Sequence, residues 1–203
     1  MLYIISAPSG AGKTSLVKAL VTKCENLVIS VSYTTRPIRP EEIDGVNYHF
    51  VSEEKFKQMI QSNAFIEYAE VFGYGYLYGT SKQWVLEQEQ NGKDILLEID
   101  WQGARQIRQI FKDCMSVFIL PPSLEVLQNR LENRAQDSPE VIQKRMQKVR
   151  SECQHFDEFD YLVVNDDFEV ALQDLKSIIR TQRLRVSVQK TQQSKLLNNL
   201  NSV

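Results

Sequence analysis

Histidine is scarce in this chain of 203 residues: His49 and His155 are the only two, and neither stands in a pattern that would activate a serine or cysteine nucleophile. Cysteine numbers three, Cys24, Cys114 and Cys153, widely spaced and without a Cys-x-x-Cys pair. That usage argues against a disulfide framework and against a zinc site, and it fits a reducing cytoplasm. No apolar run approaches the roughly 18 residues that a membrane span requires. The short run at the N-terminus has no basic segment before it, so the chain is expected to be soluble and unprocessed. An excess of one charge is missing as well, since 24 Lys and Arg against 26 Asp and Glu leave a formal net charge of -2. Nothing in that balance predicts affinity for nucleic acid or an anionic membrane. No internal repeat is visible, and the length suits one domain with a substantial core.

What the sequence has is concentrated near its start. The apolar run Leu2-Tyr3-Ile4-Ile5 leads into Ala7-Pro8-Ser9-Gly10-Ala11-Gly12-Lys13-Thr14, which opens a helical pattern. Strand, small-residue loop, Lys-Thr and helix form the context of a phosphate-binding loop. Successive backbone N–H groups can point at phosphate oxygens there, and the helix adds its positive N-terminal end. Lys13 would reach the outer phosphates, and the Thr14 hydroxyl would hold a magnesium ion bridging two of them. Ala7 stands where glycine is usual, which a negative φ would tolerate, with Gly10 and Gly12 left to make the close approaches.

Further along, β-rich apolar runs recur at 2–5, 27–31, 95–99, 117–120 and 161–164, with helical patterns between most of them. This alternation predicts an α/β fold, a parallel five-stranded core sheet flanked by helices. The stretch from about 33 to 80 breaks the rhythm with turn signals at Arg36-Pro37, Arg39-Pro40 and Asp44-Gly45 and short strand candidates at 48–51 and 65–72. It reads as an inserted, mostly antiparallel lobe. A helix from about Ser123 to Arg134 gives way to the polar break Ala135-Gln136-Asp137, after which Ser138 and Pro139 restart a helix as N-cap and first helical residue. After about Arg185 the chain is rich in Gln, Asn and Ser with little apolar periodicity, so fraying or partner contacts are expected over the tail, 186–203.

Several motifs carry a more specific signal. Ser32-Tyr33-Thr34-Thr35-Arg36-Pro37-Ile38-Arg39, Gly45-Val46-Asn47-Tyr48-His49-Phe50, Phe65-Ile66-Glu67-Tyr68, Tyr78-Gly79-Thr80 and Glu98-Ile99-Asp100-Trp101-Gln102-Gly103 occur in that order. With Phe118-Ile119-Leu120-Pro121-Pro122-Ser123 and Val163-Val164-Asn165-Asp166-Asp167, they make the chain resemble the guanylate kinase family up to about residue 185. The resemblance implies a P-loop NTPase fold with a GMP-binding lobe at about 33–80 and a helical lid at about 125–150. It also implies magnesium-dependent transfer of the γ-phosphoryl group of ATP to GMP or dGMP. The partners would then be ATP and GMP, with neither nucleic acid nor membrane; whether the chain forms a homo-oligomer stays open.

The residues make chemical sense of that reaction. An acceptor phosphate oxygen is already anionic at neutral pH, so no general base is needed, and positioning and positive charge do the work. By resemblance Arg36, Arg39, Tyr48 and Tyr78 hold the GMP phosphate, with Arg36 also counted among the catalytic groups. Glu67 is the carboxylate used on guanine, where it can accept from N1–H and the 2-amino group together, and Ser32 and Thr80 serve the other polar atoms of the base. Glu98 and Asp100 are two apart at the end of an apolar strand and project to one face. The resemblance places both toward GMP, with Asp100 also near the metal through water, while the residue types alone equally allow Asp100 to cap a helix. Glu98 stands where Asp is common. Asn165 matches the family's adenine-side residue, and on its own would read as a turn. Arg130, Arg134 and Arg145 correspond to the arginines that, with Lys13, stabilise the transferring phosphoryl group.

Two departures stand out. Asn133 and Ala135 flank Arg134 where the family often has glycine, which would stiffen the lid hinge. Between Phe72-Gly73 and Tyr78 the chain reads Tyr74-Gly75-Tyr76-Leu77, about two residues longer than the family pattern, so Tyr74 and Tyr76 compete with Tyr78 for the phosphate-facing place. Only Tyr78 directly precedes Gly79-Thr80. The alternative is a guanylate-kinase-like interaction module without catalysis; the retention of Lys13, Thr14, Arg36, Arg39, Arg130, Arg134 and Arg145 argues for the enzyme.

Overall fold

Alternate side chains of the first strand are buried on opposite sides. Tyr3 and Ile5 pack with Leu16, Leu20, Leu172 and Leu175, whereas Leu2 and Ile4 pack with Val85, Ala104 and Ile107. A strand with two apolar faces needs helices over both, and this chain supplies them. The computed structural model describes residues 1–71, 75–132 and 139–201, and of 130–132, 139–145 and 201 the backbone alone.

In chain order the first half contains β1 (Leu2–Ser6), α1 (Lys13–Lys23), β2 (Leu27–Ile29), β3 (Tyr33–Thr34), β4 (His49–Phe50), α2 (Glu53–Gln61), β5 (Phe65–Glu70), β6 (Leu77–Ser81) and α3 (Lys82–Gln90). The second half contains β7 (Asp94–Glu98), α4 (Trp101–Ile110), β8 (Met115–Leu120), α5 (Leu124–Glu132), α6 (Pro139–Cys153), β9 (Tyr161–Val164), α7 (Phe168–Arg183), α8 (Val186–Gln192) and α9 (Ser194–Asn201). Five strands form a parallel sheet in the order β2-β7-β1-β8-β9. Helices α1 and α7 cover one face, α3 and α4 the other. The register pairs Ile5 of β1 with Glu98 of β7, so the loop after β1 leaves the sheet beside that carboxylate. Ligands of open α/β sheets gather at these carboxyl ends.

The segment between β2 and α3 builds the second sheet, in the order β4-β3-β6-β5. Its β3–β6 and β5–β6 pairs are antiparallel and β3–β4 is parallel. Helix α2 interrupts the lobe, an element the turn-rich sequence hides. Ser52 caps it by accepting from the Lys55 N–H, Glu53 and Glu54 occupy its first turn, and Phe56 is buried against the Phe65 ring at 4.4 Å.

Two of three local expectations need revision. The run at 27–31 forms a strand only to Ile29; Ser30 N still bonds the Leu96 carbonyl at 3.0 Å, after which the chain leaves for the second sheet. Helix α5 begins beyond Ser123, whose hydroxyl accepts from the Val126 N–H, and α6 begins at Pro139, while Arg134, the break at 135–137 and Ser138 lie outside the described residues. The tail is helical: Gln and Lys favour helix without an apolar stripe, and Gln189 closes the end of α7 by donating to the Arg183 carbonyl at 2.8 Å. Val186 and Leu200 of these helices remain exposed.

Candidate active site

The loop between β1 and α1 turns where Ala11 N–H donates to the Pro8 carbonyl at 3.2 Å. Gly10 and Gly12 have φ of 89° and 88°, the left-handed region in which glycine is unstrained. Among the described residues only Asn26 and Asn63 join glycines at positive φ, so Ala7 carries its methyl group without strain. Gly12 is constrained twice, because a Cβ there would also collide with the Asn165 amide nitrogen. That amide, buried at the end of β9, donates to the Ala11 carbonyl at 2.7 Å. Asn165 therefore braces the loop from behind.

Glu98 meets the loop from the neighbouring strand. Thr14 Oγ1 donates to Glu98 Oε1 at 2.6 Å, and Lys13 Nζ lies 3.2 Å from the same oxygen. Burial disfavours the Glu98 charge, but Lys13 and Thr14 outweigh it and hold the carboxyl below its usual range. Among the described residues its hydrogen bonds go to the phosphate loop, while its charge also reaches Tyr48 of the lobe. Asp100, two residues on, caps α4: Oδ1 accepts from Gly103 N–H at 2.9 Å and Oδ2 from Gln102 Nε2 at 3.0 Å.

Glu67 lies beyond α4, on β5, and is only 4 % exposed. The register sets it opposite Thr80 of β6, just past an irregularity between Phe65 and Glu67, and Thr80 Oγ1 donates to Glu67 Oε1 at 2.5 Å. Burial pushes the Glu67 carboxyl up to about 7; the Thr80 hydrogen bond pulls it down and the Asp100 charge pushes it up. Ser32 is buried, and its carbonyl accepts from the His49 N–H at 2.9 Å.

The second cluster of the lobe centres on Arg36. Its Nε donates to the Tyr78 hydroxyl at 3.2 Å, its Nη1 to the Pro37 carbonyl at 2.7 Å and its Nη2 to Glu42 Oε1 at 2.7 Å. The guanidinium carbon lies 5.5 Å from the Tyr48 ring centre, and the Tyr48 and Tyr78 rings meet edge to face at 5.7 Å. Burial pushes the Tyr48 hydroxyl well above its usual range, so it stays a neutral donor. Arg39 is exposed, with its backbone N–H on Glu42 Oε2 at 2.9 Å. Tyr78, not Tyr76, reaches Arg36; Tyr74 falls outside the described residues, as do Asn133, Arg134 and Ala135 and the side chains of Arg130 and Arg145.

Three functional candidates have no signal in the sequence by themselves. Glu42 bonds both lobe arginines. Glu152, near the end of α6, accepts from Ser9 N–H of the phosphate loop at 3.1 Å across 143 residues, and burial pushes its carboxyl above the usual range. At Gly103 a Cβ would collide with Glu67 Oε2. Both histidines have packing roles: His49 stacks on Tyr33 at 4.6 Å and His155 on Trp101 at 3.6 Å.

The comparisons with known proteins agree with this geometry. The family model described as guanylate kinase matches residues 1–182. A guanylate kinase of Hahella chejuensis is 57% identical over 93% of this chain and 89% of its own length, and one of Histophilus somni is 55% identical over 98% and 96%. Among solved structures, the crystal structure of guanylate kinase from Anaplasma phagocytophilum aligns with a TM-score of 0.78 at 31% identity, over 97% of this chain and 95% of that one. With a phosphate loop on β1, an acceptor lobe on a second sheet and matches over nearly its whole length, the chain belongs to the guanylate kinase family.

Proposed function

We infer that this chain transfers the γ-phosphoryl group of ATP to GMP, giving ADP and GDP, with the phosphate loop as donor site and the 33–80 lobe as acceptor site. The observation that carries the reading is the end of β7. Glu98 contacts Lys13 and Thr14 on one side, and two residues later Asp100 opens α4, whose Gly103 touches the buried Glu67 on the other. One strand end thus adjoins an anion-binding loop and a buried carboxylate suited to guanine.

In this assignment the loop N–H groups and Lys13 hold the ATP phosphates, and Asn165 keeps the loop in shape while facing the adenine side. Arg36, Arg39, Tyr48 and Tyr78 hold the GMP phosphate, and Glu67 with Ser32 and Thr80 reads the base. Arg130, Arg134 and Arg145 bring charge from the lid. The Thr14 hydroxyl beside the Glu98 carboxylate offers hard oxygen donors, and among the described residues no group of three or more His, Cys, Asp or Glu forms a protein cage. That donor set suits Mg2+ shared with substrate phosphates, with Asp100 in reach through water. When bound, the ion would supply positive charge to the phosphate oxygens. Among the described residues no helix is long and apolar enough to cross a membrane, and with three free cysteines we place the protein in the cytoplasm.

A coupled assay with GMP, AMP, UMP and CMP as acceptors tests the reading. GMP should be preferred by roughly 10⁴-fold, because the others leave a buried carboxylate without its donors; equal use of AMP and GMP would refute it. Gly103→Ala tests the base pocket separately. The methyl group favours the helix but displaces Glu67, so the KM for GMP should rise about tenfold while the KM for ATP stays within about twofold. An unchanged KM for GMP would mean that Glu67 does not touch the base.

A further inference from the structure

We propose that Glu42 is a positioning residue for the acceptor phosphate: it bridges the Arg36 guanidinium and the Arg39 backbone, so that the free protein already presents Arg36 in the orientation that takes GMP. The inference deepens the assignment of the lobe to GMP and rests on it.

The argument starts from the donor count. A guanidinium has five N–H groups, one on Nε and two on each terminal nitrogen. The Tyr78 hydroxyl takes the first, and Pro37 O and Glu42 Oε1 take one from each terminal nitrogen. Among the described residues one N–H therefore remains on each terminal nitrogen, two in all, for the oxygens of a phosphate. An unheld Arg would have to give up its rotamer freedom when GMP arrives. Held by three protein acceptors and lying 5.5 and 5.6 Å from the Tyr48 and Phe50 ring centres, Arg36 has lost that freedom before binding.

Glu42 does more than neutralise. Its second oxygen accepts the Arg39 N–H at 2.9 Å, so a single carboxylate ties both phosphate arginines to one point of the lobe. The Arg36 and Glu42 side chains are only 10% and 15% exposed, so the pair is sheltered from the screening that makes surface ion pairs weak. Burial works against both charges, yet the hydrogen bonds between them prevail, raising the guanidinium and lowering the carboxyl. A carboxylate beside an anion site repels the anion at long range. In the proposed arrangement the orienting of Arg36 outweighs that repulsion.

Guanosine separates orientation from fold, because it fills the base pocket and carries no phosphate. Calorimetry with Glu42→Ala should show GMP binding weakened about tenfold or more and guanosine binding within about twofold of wild type. Glu42→Gln, whose amide can accept from only one of the two partners, should fall between. In an Arg36→Ala background, Glu42→Ala should weaken GMP no further. Unchanged or tighter GMP binding in Glu42→Ala would overturn the proposal, since the lost repulsion would then outweigh the lost orientation. Equal losses for GMP and guanosine would overturn it too, by making Glu42 a structural residue. Should the alanine variant not fold, the glutamine variant decides by the same GMP-to-guanosine comparison. A wild-type protein that used AMP as acceptor as readily as GMP would instead bring down the lobe's assignment, a result distinct from flat Glu42 variants in a protein that prefers GMP.

Discussion

Lys13→Met should lower kcat by about 10²–10³-fold or more while leaving the melting curve within a few degrees, because it removes a preorganised charge from developing phosphoryl oxygens and keeps most of the side-chain volume. The rest of the loop is built from backbone N–H groups, Gly10 and Gly12 geometry and the Asn165 brace, none of which involves the Lys13 ammonium. The variant has a second consequence. Glu98 then keeps Thr14 as a partner but loses the cation 3.2 Å away, so a buried carboxylate faces the incoming triphosphate uncompensated. ATP binding should weaken along with turnover. Adding Glu98→Gln separates the two effects: ATP affinity should recover in large part, and kcat should not. Full recovery of kcat in the double variant would mean that Lys13 serves only to neutralise Glu98, and near-normal turnover in Lys13→Met alone would remove the loop from the donor site.

The features legible in the sequence are those set by short-range periodicity and by residue type. An apolar run followed by small residues and Lys-Thr can hardly form anything but a strand, an anion loop and a helix, and the five β-rich runs became the five parallel strands. What stayed hidden depends on neighbours far away in the chain. Val31 looks as β-prone as Val28, but the chain departs for the second sheet at that point. Helix α2 carries a capping serine and an acidic first turn, but it lies amid turn signals that suggest loops. Asp100 shows the capping role that its residue type allowed, with both carboxylate oxygens engaged at the start of α4. Gly103 reads as an ordinary glycine until Glu67, 36 positions earlier, is packed against it. Glu42 and Glu152 are typical surface charges by type, and only the tertiary structure brings them to Arg36 and to Ser9.

Glu67→Gln should lower kcat/KM for GMP by roughly 10²–10⁴-fold with little gain for AMP, since two hydrogen bonds to a charged acceptor are lost and an amide N–H faces the base's donors. Protonation of the native carboxyl should act in the same direction. The group titrates at about 7 in the free protein, and only its ionised form accepts from N1–H and the 2-amino group together. Guanosine has no phosphate to titrate, so below the alkaline ionisation of its N1–H its affinity isolates Glu67: it should level off near pH 8 and weaken toward about tenfold per unit below 7. Stability runs the opposite way. A carboxyl raised above its unfolded value of 4.5 takes up a proton on folding, so its contribution is fully present below that value and is lost as pH rises through about 7. Glutamine cannot ionise and avoids that loss. The melting temperature of Glu67→Gln relative to wild type should therefore climb between pH 5 and pH 8, while its guanosine affinity stays low and independent of pH. Two parallel melting profiles would show that Glu67 is ionised throughout and that burial does not govern it, and a wild-type guanosine affinity that ignores pH would show that its protonation state does not change over this range.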